Sequence, residues 1–288
     1  VSRDETRAQQ AIEAAFAEVA RLEMVVSEWQ PDSEISSINA APDGRPVQLT
    51  SELYGVINRA LWFADLTGGA FDPSFAGCAK LWSIPKQHIP TAEEMAACRQ
   101  RTGYESILLD VQTSTIMLGL PGMRIGLGGI GKGYRVDRAS EILESFGVSS
   151  YVVNGGGDIR VSSSELHGPW SVEIAHPRDP DQRLGSVTLD RGAIATSGDS
   201  SWYFDKDGVR YSHIFDPRSG QPSRQSMAVT VIAERTIDAD ALATGLFVLG
   251  PEHSLALLGE LPGYEALLVS PDNPIYKTPG FPPLTNRT

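Results

Sequence analysis

Between Arg124 and Ala139 the chain reads Arg124-Ile-Gly-Leu-Gly-Gly-Ile-Gly-Lys132-Gly-Tyr-Arg-Val-Asp137-Arg-Ala139, with five glycines in the eight residues from Gly126 to Gly133. Backbone without Cβ atoms can approach a ligand or another element closely, and a helix start offers N–H groups to an anion. Val136, Ala139, Leu143 and Phe146 follow at helical spacing and Gly147 supplies a stop, so the spacing predicts a glycine-rich loop running into a helix. Gly126, Gly128 and Gly131 satisfy G-x-G-x-x-G, but the window about 20 residues further on holds no carboxylate for a ribose. The same run nearly matches a phosphate-binding P-loop, except that Gly133 stands where a magnesium-binding hydroxyl belongs. A tight turn with close helix packing accounts for the stretch as well as ligand binding does, so the rest of the chain has to decide.

Composition narrows the classes. The 288 residues carry a formal net charge of −12 without a Lys/Arg cluster, which argues against a nucleic-acid surface. No apolar run reaches the length of a membrane span. Cys78 and Cys98 follow no metal or redox spacing and read as buried apolar residues rather than as a bridge. The chain starts at Val1, so an address, anchor or first strand is expected to have been removed.

Helices are expected at the start, with Ser2 and Glu5 as a capping box and Ile12, Phe16, Val19, Leu22 and Val26 facing inward. Glu28 to Asn39 reads as a polar loop with one aromatic, Trp29. A second helix follows Thr50 or Ser51 and stops at Gly68, and a third starts at Thr91 with Glu94. Ser106–Asp110 and Ser114–Leu118 predict a hairpin, and the glycines after Tyr151-Val-Val153 predict a bulge or a close backbone approach. Further strands are expected at Trp170–Ala175, Gly185–Leu189, Ala193–Thr196 and Met227–Ala233, with Tyr211, His213 and Phe215 sharing one strand face. Residues 271–288 hold five prolines and read as an extended tail.

Thr236 to Leu249 predicts a buried helix on which Asp240 and Thr244 share a face. A carboxylate there is costly unless paired or metal-bound. Either Asp240 caps a helix start or, with the Thr244 hydroxyl one turn on, it offers hard oxygen ligands of the kind magnesium takes. Asp238 lies about 200° round the helix and belongs to another environment.

Seven stretches, taken together and in order, resemble the ApbE-type FAD:protein FMN transferases. They are Ser33-Glu-Ile-Ser-Ser-Ile-Asn39, Gly69-Ala-Phe-Asp-Pro73, Gly128 to Asp137, Asn154-Gly-Gly-Gly-Asp158, Thr196-Ser-Gly198, His213-Ile-Phe-Asp-Pro-Arg-Ser-Gly220 and Ala239-Asp-Ala-Leu-Ala-Thr244. The resemblance implies an α+β, T-fold-like architecture of largely antiparallel sheets with packed helices, as one domain over residues 1–270. It implies magnesium-dependent transfer of FMN from FAD to a Ser or Thr hydroxyl of an acceptor protein, with release of AMP. Magnesium would be held by Asp240, Thr244 and the main-chain carbonyl of Gly131. Trp29 would stack the flavin, Ala70, Phe71 and Asp72 would form the flavin-contacting turn, and Lys132, Tyr134 and His213 would lie near the nucleotide. Asp240 and His213 would carry the catalytic roles. The implied partner is a flavinylated subunit of a respiratory electron-transfer complex. The implied place is the bacterial periplasm or the outer face of the inner membrane, with the membrane touched only through a removed anchor.

Three departures stand out: many members have Asp where Gly126 stands, many have Ala where Gly131 stands, and the family's usual first strand is missing before Val1. The rival readings are an FAD pyrophosphatase with water as acceptor, an FAD-binding carrier without turnover, and a P-loop-like nucleotidase, the last weakened by Gly133.

Overall fold

The computed structural model describes Val1–Thr285, and residues 286–288 lie outside the described residues. The chain forms two compact units that alternate along the sequence. The first comprises Val1–Arg21, Lys132–Ser200 and the chain from Gln225 onward; the second comprises Leu22–Gly131 and Ser201–Arg224.

The first unit is built on a six-stranded antiparallel sheet. Its order is Ile275–Lys277, Glu265–Val269, Ala228–Ala233, Arg191–Gly198, Asp158–Ser162 and Tyr151–Gly155. The helix Thr236–Leu249 lies against the two central strands. Burial on all sides explains its composition: Ile237, Leu242, Leu246 and Phe247 are core residues, so it shows no polar face. The hairpin Trp170–Ala175 with Arg183–Leu189 alternates along its strands, and its Val172, Ile174 and Val187 pack with Val161, Ile194 and Leu267 of the sheet. A second core joins Ala11 and Ala15 to Ala139, Leu143, Val148 and Tyr151.

The helix Gly131–Ser145 turns Val136, Ala139 and Leu143 inward as its spacing predicts, and Gly147 ends it with φ +76°. The long helix Glu5–Val26 differs from expectation in two ways. Its first turn is capped by Asp4, whose carboxylate accepts from the Arg7 N–H at 3.0 Å, and not by a Ser2–Glu5 box. Leu22 and Val26 are buried as expected, but nearer the helix start the inward face is made by Ala11 and Ala15, which allow close helix packing. Ile12 and Phe16 are displaced outward, 44% and 72% exposed.

The three glycines after Asn154 form a hairpin end rather than a bulge: Gly156 and Gly157 turn the chain at φ +72° and +101°, conformations open to glycine. The close approach is at Gly155, where a Cβ would come within 2.5 Å of Val136 Cγ2. Up to Thr285 the expected tail is not loose, and its last three residues lie outside the described residues. Ile275–Lys277 pairs with Glu265–Val269, Phe281 is buried in the core, and Thr285 exchanges backbone hydrogen bonds with Ser186 at 2.9 Å. Proline density hid a short edge strand that its partner strand can hold.

The second unit is mainly helical. Helix Ser51–Leu66 starts at Thr50, whose hydroxyl accepts from the Leu53 N–H, and buries Leu53, Val56, Ile57, Ala60 and Phe63. Helix Ala92–Arg99 carries the full capping box of Thr91 and Glu94. Glu28 to Asn39 is not all loop: Ser33 caps a helix over Glu34–Ala40, whose Ile35 and Ile38 are buried. Two apolar residues at i and i+3 are too short a pattern to announce a helix unaided.

The predicted hairpin is present as Ile107–Asp110 with Thr115–Leu118, and Val47–Gln48 adds a third strand. The cysteines correct the sequence reading: Cys78 and Cys98 form a disulfide. It tethers the short helix Ala76–Ala79 to helix Ala92–Arg99 within a cluster of Phe75, Trp82 and Met95. A spacing of 20 residues in sequence says nothing about proximity, which the packing of the two helices creates.

Candidate active site

In the first unit the sequence-predicted residues Lys132 and Asp240 are brought together by two elements locked at one crossing. Gly133 lies so close to the start of helix Thr236–Leu249 that a Cβ would sit 2.3 Å from the Thr236 carbonyl oxygen. The Gly133 N–H donates to Asp240 Oδ2 at 2.9 Å. A residue one turn further along the same helix, Asp137, caps its neighbour: it accepts from the N–H groups of Thr236 and Ile237 at 2.8 and 3.0 Å. Arg235 at the N-cap makes no side-chain cap of its own, so these otherwise orphan donors are satisfied from another helix. Asp137 is itself buried, and Arg160 at 2.9 Å and Arg235 at 3.6 Å balance its charge. The helix therefore starts at Thr236, which rules out Asp240 as its cap.

Asp240 is 3% exposed. Its Oδ1 lies 3.2 Å from Lys132 Nζ, and the same ammonium is paired closely with Asp158, also buried. Burial pushes the Asp158 carboxyl up to about 7, the Asp240 charge adds to the rise, and Lys132 opposes it. Burial also works against the Lys132 ammonium, but Asp240 and Asp158 together outweigh it and hold its pKa above the usual lysine value. Two buried carboxylates thus share one ammonium, a cluster short of positive charge.

Thr244 stands one turn from Asp240. Its hydroxyl donates to the Asp240 main-chain carbonyl at 3.3 Å and meets Ser197 Oγ at 3.2 Å. With the proton directed at that carbonyl, the oxygen keeps acceptor capacity. Asp240 and Thr244 are hard oxygen donors beside this negatively biased cluster, and they fit a magnesium-type cation. Among the described residues no group of three or more His, Cys, Asp or Glu side chains could hold a metal, so any such centre must draw on hydroxyl or carbonyl oxygens. Asp238 takes no part: it accepts from the Tyr264 hydroxyl at 3.3 Å. Tyr134 is half-buried on the first-unit helix that carries Lys132.

In the second unit Gly131 is buried and donates its N–H to the Leu127 carbonyl at 2.7 Å, closing the glycine-rich turn. Gly126 has a steric reason: a Cβ there would stand 1.8 Å from Glu28 Oε2 and 2.5 Å from Ala76 Cβ. The Glu28 carboxylate occupies that space and accepts from the Leu127 N–H at 3.1 Å. Burial raises the Glu28 pKa, against the pull of Lys80 and of that hydrogen bond. Glu28 was not singled out by the sequence, and only the vacancy of Cβ at Gly126 hinted at a neighbour.

Trp29 is 71% exposed, with the Lys80 ammonium 5.5 Å from its ring centroid. Its indole is presented to solvent and not folded over the core. Ala70 and Phe71 are buried. Asp72 caps the short turn Pro73–Phe75 through the Ser74 N–H at 2.7 Å, and burial pushes its carboxyl up against those hydrogen bonds.

His213 does not share a strand face with Tyr211 and Phe215. The strand Val209–Ser212 ends before it, and its ring is exposed. Its backbone N–H and its ring Nδ1 both meet the Trp202 carbonyl, at 3.1 and 3.2 Å. A carbonyl only accepts, so Nδ1 carries the proton and Nε2 is the basic nitrogen.

The chain matches the model of the ApbE family over residues 2–268. It is 34% identical to the FAD:protein FMN transferase of Treponema pallidum (strain Nichols), over 94% of this chain and 80% of that protein. It is 36% identical to the protein of the same description from Vibrio cholerae serotype O1, over 81% and 71% respectively. Among solved structures it resembles the ApbE protein of Thermotoga maritima with a TM-score of 0.88, at 35% identity, over 95% of this chain and 90% of that one. It resembles the flavin transferase ApbE of Vibrio cholerae with a TM-score of 0.83, at 31% identity, over 96% and 90%.

Proposed function

The chain belongs to the ApbE family, and from that premise we propose that it is an FAD:protein FMN transferase acting on a Ser or Thr hydroxyl of a protein acceptor, with AMP released. The observation that carries this reading is the arrangement of Asp240 between the Gly133 N–H and the Lys132 ammonium, with Thr244 one turn away.

Splitting a pyrophosphate is phosphoryl transfer, in which positioning and neutralisation of charge do most of the work. Asp240 and Thr244 would hold magnesium, which when bound neutralises charge on the phosphates. Lys132 supplies a cation, kept in place by Asp158. Gly133 and Asp137 keep the Asp240 carboxylate aimed by fixing the start of its helix. In the second unit Trp29 offers an exposed ring for the flavin. His213, with its proton held on Nδ1 by Trp202, presents Nε2 to accept the proton of the acceptor hydroxyl. The attacking oxygen forms the new phosphoester bond as the bond to the AMP phosphate breaks.

The disulfide supports placement in an oxidising compartment such as the bacterial periplasm. A flavinylated subunit of a respiratory electron-transfer complex is the partner we propose. The test is incubation with FAD, magnesium and a Thr-containing acceptor peptide, followed by mass spectrometry and nucleotide chromatography. A peptide heavier by one FMN moiety, with stoichiometric AMP, is expected. Free FMN beside an unmodified peptide would assign hydrolysis instead, and intact FAD would assign a carrier.

A further inference from the structure

We infer that the indole of Trp202 is a specificity-determining contact for the acceptor protein, receiving an aliphatic or aromatic side chain within two residues of the hydroxyl that takes FMN. The inference rests on the transferase reading above and on the place of His213 as the base.

Trp202 immediately precedes a hairpin of Tyr203–Lys206 with Val209–Ser212. Asp207 and Gly208 turn it at φ +53° and +75°, the conformation that suits the twist of paired strands. The hairpin is anchored below by Phe204, which is buried and stacked on Tyr211 with ring centroids 5.0 Å apart. Arg210 lies over Tyr203 at 3.7 Å and pairs with Asp205 at 3.1 Å, so the strands are also clasped across their outer face. The Trp202 backbone is pinned in turn by the His213 N–H and Nδ1. The residue is therefore held at a fixed place, yet its side chain is 54% exposed. Its ring lies 6.1 Å from the imidazole, at an interplanar angle of 37°.

That distance sets what the indole can touch. A hydroxyl that gives its proton to His213 must come within about 3 Å of Nε2. An extended acceptor segment advances about 3.3 Å per residue. On a segment that runs toward the hairpin, residues one or two positions from the hydroxyl therefore reach the indole. A rigid aromatic face with apolar character rewards an apolar partner there, and little ordering entropy opposes the contact. Water has no flanking residues, so the contact distinguishes a protein acceptor from hydrolysis.

The test uses the whole chain with FAD, magnesium and a Thr-centred peptide library randomised at the two positions on either side. Mass spectrometry scores which peptides gain FMN. Wild type should enrich aliphatic and aromatic flanking residues over glycine by about tenfold, the ratio equivalent to roughly 1.4 kcal/mol. Trp202→Ala should bring that ratio close to unity, and Trp202→Phe should retain most of it. Because the ratio compares peptides within one reaction, a general loss of rate does not move it. An unchanged ratio in Trp202→Ala overturns the inference while leaving the transferase standing. So does a raised KM for FAD with the peptide ratio intact, which would make Trp202 a flavin contact. Failure of wild type to modify any peptide while it releases free FMN overturns the inference and the transferase reading together.

Discussion

Gly133 donates its backbone N–H to Asp240 Oδ2 at 2.9 Å, and it does so across a helix crossing that leaves no room for a Cβ. The glycine that spoils the P-loop pattern is thus the residue that lets two helices touch. A hydroxyl-bearing side chain at this position would collide with the Thr236 carbonyl, so the departure from that motif is a packing requirement.

Gly133→Ala should destabilise the protein by about 3 kcal/mol, the upper end for overpacking, because the obstructing atoms are backbone and cannot swing aside. Gly128→Ala is the control. A Cβ there meets nothing within 4 Å, and the change should stay within about 0.5 kcal/mol. Urea denaturation of the two variants beside wild type checks the contrast.

Asp240→Asn keeps the shape and an oxygen for Gly133 but removes the charge. Magnesium affinity, measured by calorimetry, should fall by more than about a hundredfold, exceeding what loss of an outer partner costs. FMN transfer should fall with it. Retention of wild-type affinity would detach Asp240 from the metal.

Asp137→Ala leaves the half-buried Arg160 without its carboxylate and two helix N–H groups without an acceptor. A loss of about 3–5 kcal/mol is expected. In a double-mutant cycle with Arg160→Ala the two losses should be strongly non-additive, since both remove the same pair.

The disulfide closes a loop spanning 20 residues in sequence, for which chain entropy gives a stabilisation of about 3 kcal/mol. The Cys78→Ser/Cys98→Ser double variant should melt lower than oxidised wild type by a matching amount. Reduction of wild type should shift its melting point the same way.

Glu28 supplies the pH prediction. Burial raises its folded pKa above the unfolded value, so between the two the native state holds a proton that the unfolded chain has released. Stability from this group is therefore greatest at low pH and declines as pH rises from about 4.5 through the folded pKa. Glu28→Gln removes the titration while keeping an oxygen for the Leu127 N–H. Its stability relative to wild type should improve between pH 4 and pH 7, as read by denaturant midpoints at each pH.

Much of the local structure was written in the order of residues. Val136, Ala139 and Leu143 at helical spacing, the Thr91–Glu94 capping box and the Thr50 cap all work through neighbours three or four positions away, and each is present as expected. The family, too, was legible, because its motifs are short strings. Asp240 and Thr244 share a helix, so their common face follows from 3.6 residues per turn.

Tertiary structure decided whatever depends on distance through space. Cys78 and Cys98 became a bridge because two helices pack together, and the Ile12–Phe16 face was left outside because Ala11 and Ala15 pack closer. Ile275–Lys277 within the proline-rich end became a strand because Glu265–Val269 had an edge to share. Asp158 joined Lys132 as an ion pair between distant segments, and Asp137 capped a helix about a hundred residues away through backbone N–H groups that only the assembled fold leaves open. Sequence determined which chemistry the chain could carry, since residue types and short spacings set donors, acceptors and helix faces. The fold alone determined which of those groups meet, because burial and pairing are properties of packed elements and not of neighbours along the chain.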